Sequence, residues 1–161
     1  MRKKRAKITN PVNPVKEKAR IGGTYAIDFA TLRKAEEAII AMTPQFLDWV
    51  KTDLENIEKF INKLKAPDNQ ARETLKEIFR IAHDMKGQGG TFGFNLITTI
   101  ADQLCQMIDK FDSIGEEELE AIQVHIDAIK LVVKDNMLGN GGEEGAKILT
   151  GLKKVSNKIL G

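Results

Sequence analysis

Apolar residues recur at three- and four-residue steps through most of residues 28–160, which places them on single faces of α-helices. Nowhere do β-branched and aromatic residues alternate with polar ones for long, so strands are not expected. The pattern predicts a short helix over 28–42 and a second that restarts at Thr43-Pro44, with Thr43 as N-cap and Pro44 in the first helical position. That second helix carries Phe46, Leu47, Val50, Leu54, Ile57, Phe60, Ile61 and Leu64 on one stripe and stops at Pro67-Asp68-Asn69. A third, from about residue 69 to 90 or slightly beyond, presents Leu75, Ile78, Phe79, Ala82, Met85 and then Phe92. The fourth begins near Asn95 and shows Ile97, Ile100, Ala101, Leu104, Ile108 and Phe111. After a turn at 112–115 the fifth opens on Glu116, Glu117 and Glu118, which suit the positive end of a helix dipole, and continues through Leu119, Ile122, Ile126, Ile129 and Val133. Gly139-Asn140-Gly141-Gly142 stops it, and a last helix over 143–160 shows Ile148, Leu149, Leu152, Val155 and Ile159. Short links between helices of this length force antiparallel neighbours. The expected fold is all-α: an up-and-down four-helix bundle with extra flanking helices.

One stretch departs from bundle logic: His83-Asp84-Met85-Lys86-Gly87-Gln88-Gly89-Gly90-Thr91-Phe92-Gly93. Each glycine in a helix interior costs roughly 0.5–1 kcal/mol relative to alanine. Either the helix ends early at Gly87, or the surface around one side chain must stay bare. Helical spacing favours the second. The neighbours of His83 are Phe79, Arg80, Lys86, Gly87 and Gly90, and His83 lies on the flank of the apolar stripe, turned outward. Imidazole is a nucleophile when neutral, and its ordinary pKa of ~6.5 leaves it mostly so near neutral pH. Were it to attack phosphorus, Lys86 and Arg80 could offset the charge of the group it gains, while Gly87, Gln88 and Gly90 would form a surface that a partner can approach. A metal site is not expected, because the other histidine, His125, falls on a different helix. It reads as a structural or surface residue at the rim of the fifth helix, and Trp49 as partly buried packing.

Composition narrows the class. The chain has 161 residues, enough for one ordinary domain that needs no disulfides or metal. A single cysteine, Cys105, rules out a disulfide within one chain and fits a reduced, cytoplasmic setting. No apolar run approaches the ~20 residues that span a bilayer, and no membrane partner is expected. Residues 1–20 hold eight Lys or Arg against one Glu, +7, which leaves −5 for the rest of a chain whose total is +2. Residues 1–25 are therefore expected to be a disordered basic tail, dispensable for the chemistry, ahead of a helical-bundle domain over 26–161. No zinc pattern or aromatic-basic platform points to nucleic acid, and no Walker pattern or kinase-type glycine loop points to a nucleotide site.

The run AHDMKGQGGTFGF at 82–94 resembles the phosphoacceptor segment of histidine phosphotransfer (HPt) domains, with the pattern His-x-hydrophobic-Lys-Gly-x-x-x-x-x-Gly. It is most similar to the HPt domain of chemotaxis histidine kinases, which carries a near-identical Lys-Gly-x-x-Gly-Thr-Phe-Gly-Phe run, and the likeness extends over about 43–161. The resemblance implies that His83 is phosphorylated, that Lys86 assists the phosphoryl group and that Gly87 and Gly90 keep the surface open. It implies a stand-alone, monomeric phosphoryl carrier without its own ATP site or cofactor, Mg²⁺ being brought by partner receiver domains of response regulators. A histidine kinase is a further candidate partner. In the chemotaxis-kinase domains a Glu on the next helix holds the other ring nitrogen; counting from His83, Cys105 stands there, a weak partner. Gln106, Asp102 or Asp109 could orient the ring instead. That departure keeps a second reading open, a bundle that binds and inhibits a receiver or kinase without being phosphorylated.

Overall fold

A computed structural model of the chain describes residues 28–66 and 69–161. The expected tail over 1–25 and the stop at Pro67-Asp68 lie outside the described residues. Among the described residues every regular element is a helix: α1 (Phe29–Leu64), α2 (Ala71–Gly89), a 3₁₀ turn (Gly90–Phe92), α3 (Asn95–Ile108), α4 (Glu116–Lys134) and α5 (Gly142–Leu160). The chain divides into two compact units, the first ending at Ile40 and the second spanning Ala41–Gly161. In the first, the described residues are helical from Phe29, capped by the Asp28 carboxylate on the Ala30 amide at 3.2 Å, and exposed throughout.

The two helices expected on either side of Thr43-Pro44 are one. Pro44 lies inside α1, so Thr43 is not an N-cap. A proline keeps a φ that suits a helix and removes one backbone donor, a cost of about 3 kcal/mol or more when its ring also crowds the preceding turn. The apolar stripe that follows opposes this cost by anchoring the helix in the core at Phe46, Val50, Leu54, Ile57 and Ile61. The proline signal marks the edge of the packed unit, which begins at Ala41, rather than the end of the helix.

Within the second unit all five helices contribute to one core. α3 is its centre, buried at Leu96, Ile97, Ile100, Ala101, Leu104, Cys105, Met107 and Ile108, and it packs against α2, α4 and α5. α2 adds Leu75, Ile78, Ile81, Ala82 and Met85, while Phe79, expected on this stripe, is only partly buried at its edge. An ion pair from Glu58 to Lys130 ties α1 to α4. At one end of the bundle the α2–α3 turn and the α4–α5 loop are stitched together: the Gly139 amide donates to the Gly93 carbonyl at 2.7 Å, and the Leu96 amide to the Gly139 carbonyl at 2.8 Å. Gly93 can serve this turn because its φ of +83° suits a residue without Cβ.

Two sequence expectations change here. Trp49 is 44% exposed, because it falls outside the stripe of Phe46, Val50 and Leu54. His125 is fully buried rather than at a rim, because Ala121, Ile122, Ile126 and Ile129 around it are all core. Its Nδ1 lies 2.8 Å from the Ala121 carbonyl, and among the described residues its Nε2 has no partner. Burial, only partly opposed by the Ala121 bond, holds the His125 pKa below its ordinary 6.5. The unfolded chain therefore binds a proton that the native state refuses. Stability is expected to be full above about pH 6.5 and to fall as pH drops below it, by at most ~1.4 kcal/mol per unit, until the folded pKa is passed. Urea unfolding from pH 7.5 to 5 should show a slope that is shallower in His125→Leu; an unchanged slope would mean that the ring does not titrate on unfolding.

Candidate phosphoacceptor site

The glycine-rich segment does not end α2 early. The helix runs through Gly87 to Gly89 and tightens into the 3₁₀ turn before Gly93 closes it. The three glycines do different things. A Cβ on Gly87 would meet nothing within 4 Å, and one on Gly90 only ordinary contacts, the nearest being Thr98 Oγ1 at 3.8 Å. Both positions are exposed, as is Gln88 between them. Gly89 is buried, and a Cβ there would stand 2.6 Å from Thr98 Oγ1 and 2.9 Å from both the Phe94 carbonyl and the Thr98 amide. It lets α3 start against the end of α2, where the Gly90 amide donates to Thr98 Oγ1 at 2.9 Å. Gly89→Ala is therefore expected to lose about 1–3 kcal/mol, because backbone atoms must move. Gly90→Leu should keep the melting temperature within about 2–4 °C, since its cost is below about 1 kcal/mol either way. Thermal unfolding of the two variants distinguishes a packing glycine from a surface glycine; equal losses would remove the distinction.

His83 stands exposed on the flank of α2, its ring stacked on Phe79 one turn earlier, centroids 6.2 Å apart and 23° between planes. Among the described residues neither ring nitrogen has a hydrogen-bond partner. Cys105 does not take that role: its sulfur lies 3.9 Å from the Phe79 carbonyl, and burial pushes its thiol pKa up to about 11. Nor do the polar residues beside it. Asp102 accepts from Gln106 Nε2 at 2.8 Å and pairs with Lys86 at 2.7 Å. Among the described residues the ring contact of the imidazole is the aromatic face of Phe79.

Both expected cations are near and both are engaged. Lys86 reaches across to α3, where the hydrogen bond and charge of Asp102 raise its pKa. Arg80 Nε and Nη2 hold Glu77 Oε2 at 3.2 and 3.1 Å, and its Nη1 lies 3.6 Å from Asp84. From α1, Asp53 faces the same group: partial burial and then the charge of Asp84 raise its pKa, against the pull of Arg80. The sequence reading did not single out Asp53, and nothing in its local pattern marks it. Among the described residues no group of three or more His, Cys, Asp or Glu is placed to hold a metal ion, and no helix is long and apolar enough to cross a membrane. What remains is an exposed imidazole beside two glycines that carry no side chain, flanked by two cations, Arg80 and Lys86, and the carboxylates that engage them.

An arrangement of this kind can offer the exposed His83 imidazole to a group carried by another molecule. The comparison with protein families agrees: the Hpt domain matches residues 41–135, more than half of the chain, and the chain belongs to that family. The match begins where the packed unit begins, at Ala41, and ends after α4. Hpt domains are phosphocarriers in two-component signalling, without an ATP site of their own, and interact with response-regulator receiver domains and kinases. The comparisons with curated proteins and with solved structures found no match.

Proposed function

We propose that this chain carries a phosphoryl group on His83 and passes it to or from the aspartate of a response-regulator receiver domain, as a stand-alone, monomeric carrier in the cytoplasm. The observation that carries this reading is the exposed His83 imidazole beside Gly87 and Gly90, two exposed positions that carry no side chain. In the transfer, the lone pair of a ring nitrogen attacks the phosphorus of the receiver's aspartyl phosphate. The N–P bond forms, the P–O bond breaks and the aspartate carboxylate leaves; the reverse step unloads the carrier. The chain supplies the nucleophile and its orientation, Lys86 and Arg80 supply positive charge, and Mg²⁺ on the receiver supports the transferring group. Gly87, Gln88 and Gly90 form part of the docking face, which is expected to be small, because the partners must separate after each transfer.

A second reading keeps the docking face and drops the chemistry. It is favoured by the ring of His83 lacking a hydrogen-bond partner among the described residues, with Cys105 turned to Phe79 instead. Incubating the chain with a phosphorylated receiver domain separates the two. Carriage gives a label on the chain that is lost in acid and kept in base, as a P–N bond requires. Tight binding of the receiver with no label transferred would favour the inhibitor.

A further inference from the structure

Every cation next to His83 already has a carboxylate. Arg80 sits between Glu77 and Asp84 on its own helix. Lys86 is held from outside its helix: Asp102, on α3, receives its ammonium on Oδ1 at 2.7 Å and the Gln106 amide on Oδ2 at 2.8 Å. Gln106 thus fixes the carboxylate that fixes Lys86. The other titratable group beside this ammonium is the Cys105 thiol, protonated at neutral pH and so without charge there. Lys86 is one turn from His83 on α2, within the range at which helical side chains meet. A phosphoryl dianion on His83 would draw on the same ammonium, and a charge-assisted contact to it is of the same kind as the one Asp102 makes.

We propose that Asp102 is a positioning residue that competes with the phosphoryl group on His83 for the Lys86 ammonium. This rests on the reading of His83 as acceptor. Its consequence is a carrier that holds its cargo less firmly than Lys86 alone would allow, and so gives it up more readily. Asp102 takes no part in the bonds made or broken; it sets how much of the positive charge of Lys86 the loaded site receives.

The pair also ties α2 to α3, so a fall in stability on mutation would not distinguish this role from a structural one. The test uses the full chain loaded with phosphoramidate: the ring nitrogen forms an N–P bond, the P–N bond of the donor breaks and ammonia leaves. Phosphorus NMR then gives the midpoint at which the phosphoryl group on His83 takes up its proton, which rises when a nearby cation is lost. Lys86→Gln should raise this midpoint in the wild-type background and raise it by about half a pH unit more in the Asp102→Asn background, about threefold in proton binding. The comparison cancels any direct repulsion between Asp102 and the phosphoryl group, because only the effect of removing Lys86 is compared. An equal effect in both backgrounds would overturn the competition. A smaller effect in the Asp102→Asn background would also overturn it, showing that Asp102 delivers Lys86 instead of withholding it. Failure of the underlying reading looks different: wild-type chain that gains no phosphohistidine signal, or a signal that persists in His83→Gln.

Discussion

Phe46→Ala is expected to destabilise the bundle by about 3–5 kcal/mol, the range for truncating a buried phenylalanine. Phe46 is 1% exposed, stacked on Phe92 at 4.4 Å and tilted against Phe94 at 6.0 Å. Its removal takes transfer energy from the core and two aromatic contacts from the turn that ends α2. The residual cavity cannot close easily, because Phe94 is itself fully buried and its amide is bonded to the Gly89 carbonyl at 2.8 Å. At ~2–4 °C per kcal/mol for a chain of this size, the melting temperature should fall by roughly 10 °C. Trp49→Ala, close in sequence but 44% exposed, should stay within about 0.5 kcal/mol. Urea titrations of both variants check this; a Phe46→Ala loss below about 1 kcal/mol would mean that the Phe46–Phe92–Phe94 stack does not anchor the turn.

That stack also shows why much of the fold was legible. Phe46, Phe92 and Phe94 are large apolar residues on or beside periodic stripes, and the helices predicted from such stripes are the helices found from Ala71 onward. Where one local rule stood against another, the local reading failed. Pro44 signals a helix start by its usual preference, yet the stripe on its C-terminal side continues an existing helix and overrides it. The sequence sets His125 between Ile122 and Ile129 at the rim of its helix, but its neighbours are core residues and the ring is buried with them.

The candidate site divides in the same way. His83, Arg80, Lys86, Gly87 and Gly90 are neighbours along one helix, so spacing alone brought them together. Contacts across helices depend on register, which one helix does not reveal. The register could nonetheless have been found: α2 and α3 are antiparallel about Phe94, and reflection through Phe94 carries Gly90 to Thr98 and Lys86 to Asp102, both observed pairs. The same reflection sets Cys105 opposite His83. It does not tell that the thiol is directed to the Phe79 carbonyl, which is a matter of rotamer and packing. Asp53 comes from a third helix and lay beyond any reflection of this kind. Gly89 carries no role of its own in the sequence, where it is one of three costly glycines, since a glycine does not say whether the space it leaves is filled by solvent or by the start of the next helix.

His83→Gln is the largest functional change expected, a complete loss of phosphoryl acceptance in a chain that still folds. Glutamine keeps a polar side chain of similar reach, and His83 is exposed with Phe79 as its one ring contact among the described residues, so little packing is disturbed. Being a surface substitution away from cap, core and turn, it should change stability by no more than about 0.5 kcal/mol. The buried His125, the other histidine, offers no second acceptor to an approaching phosphoryl donor, because its ring is 0% exposed. The decisive measurement is the acid-labile, base-stable label acquired from a phosphorylated receiver domain by wild-type chain, His83→Gln and His125→Gln, each first shown to be helical. The account predicts label on the wild type and on whatever fraction of His125→Gln folds, and none on His83→Gln. Undiminished label on His83→Gln would contradict it.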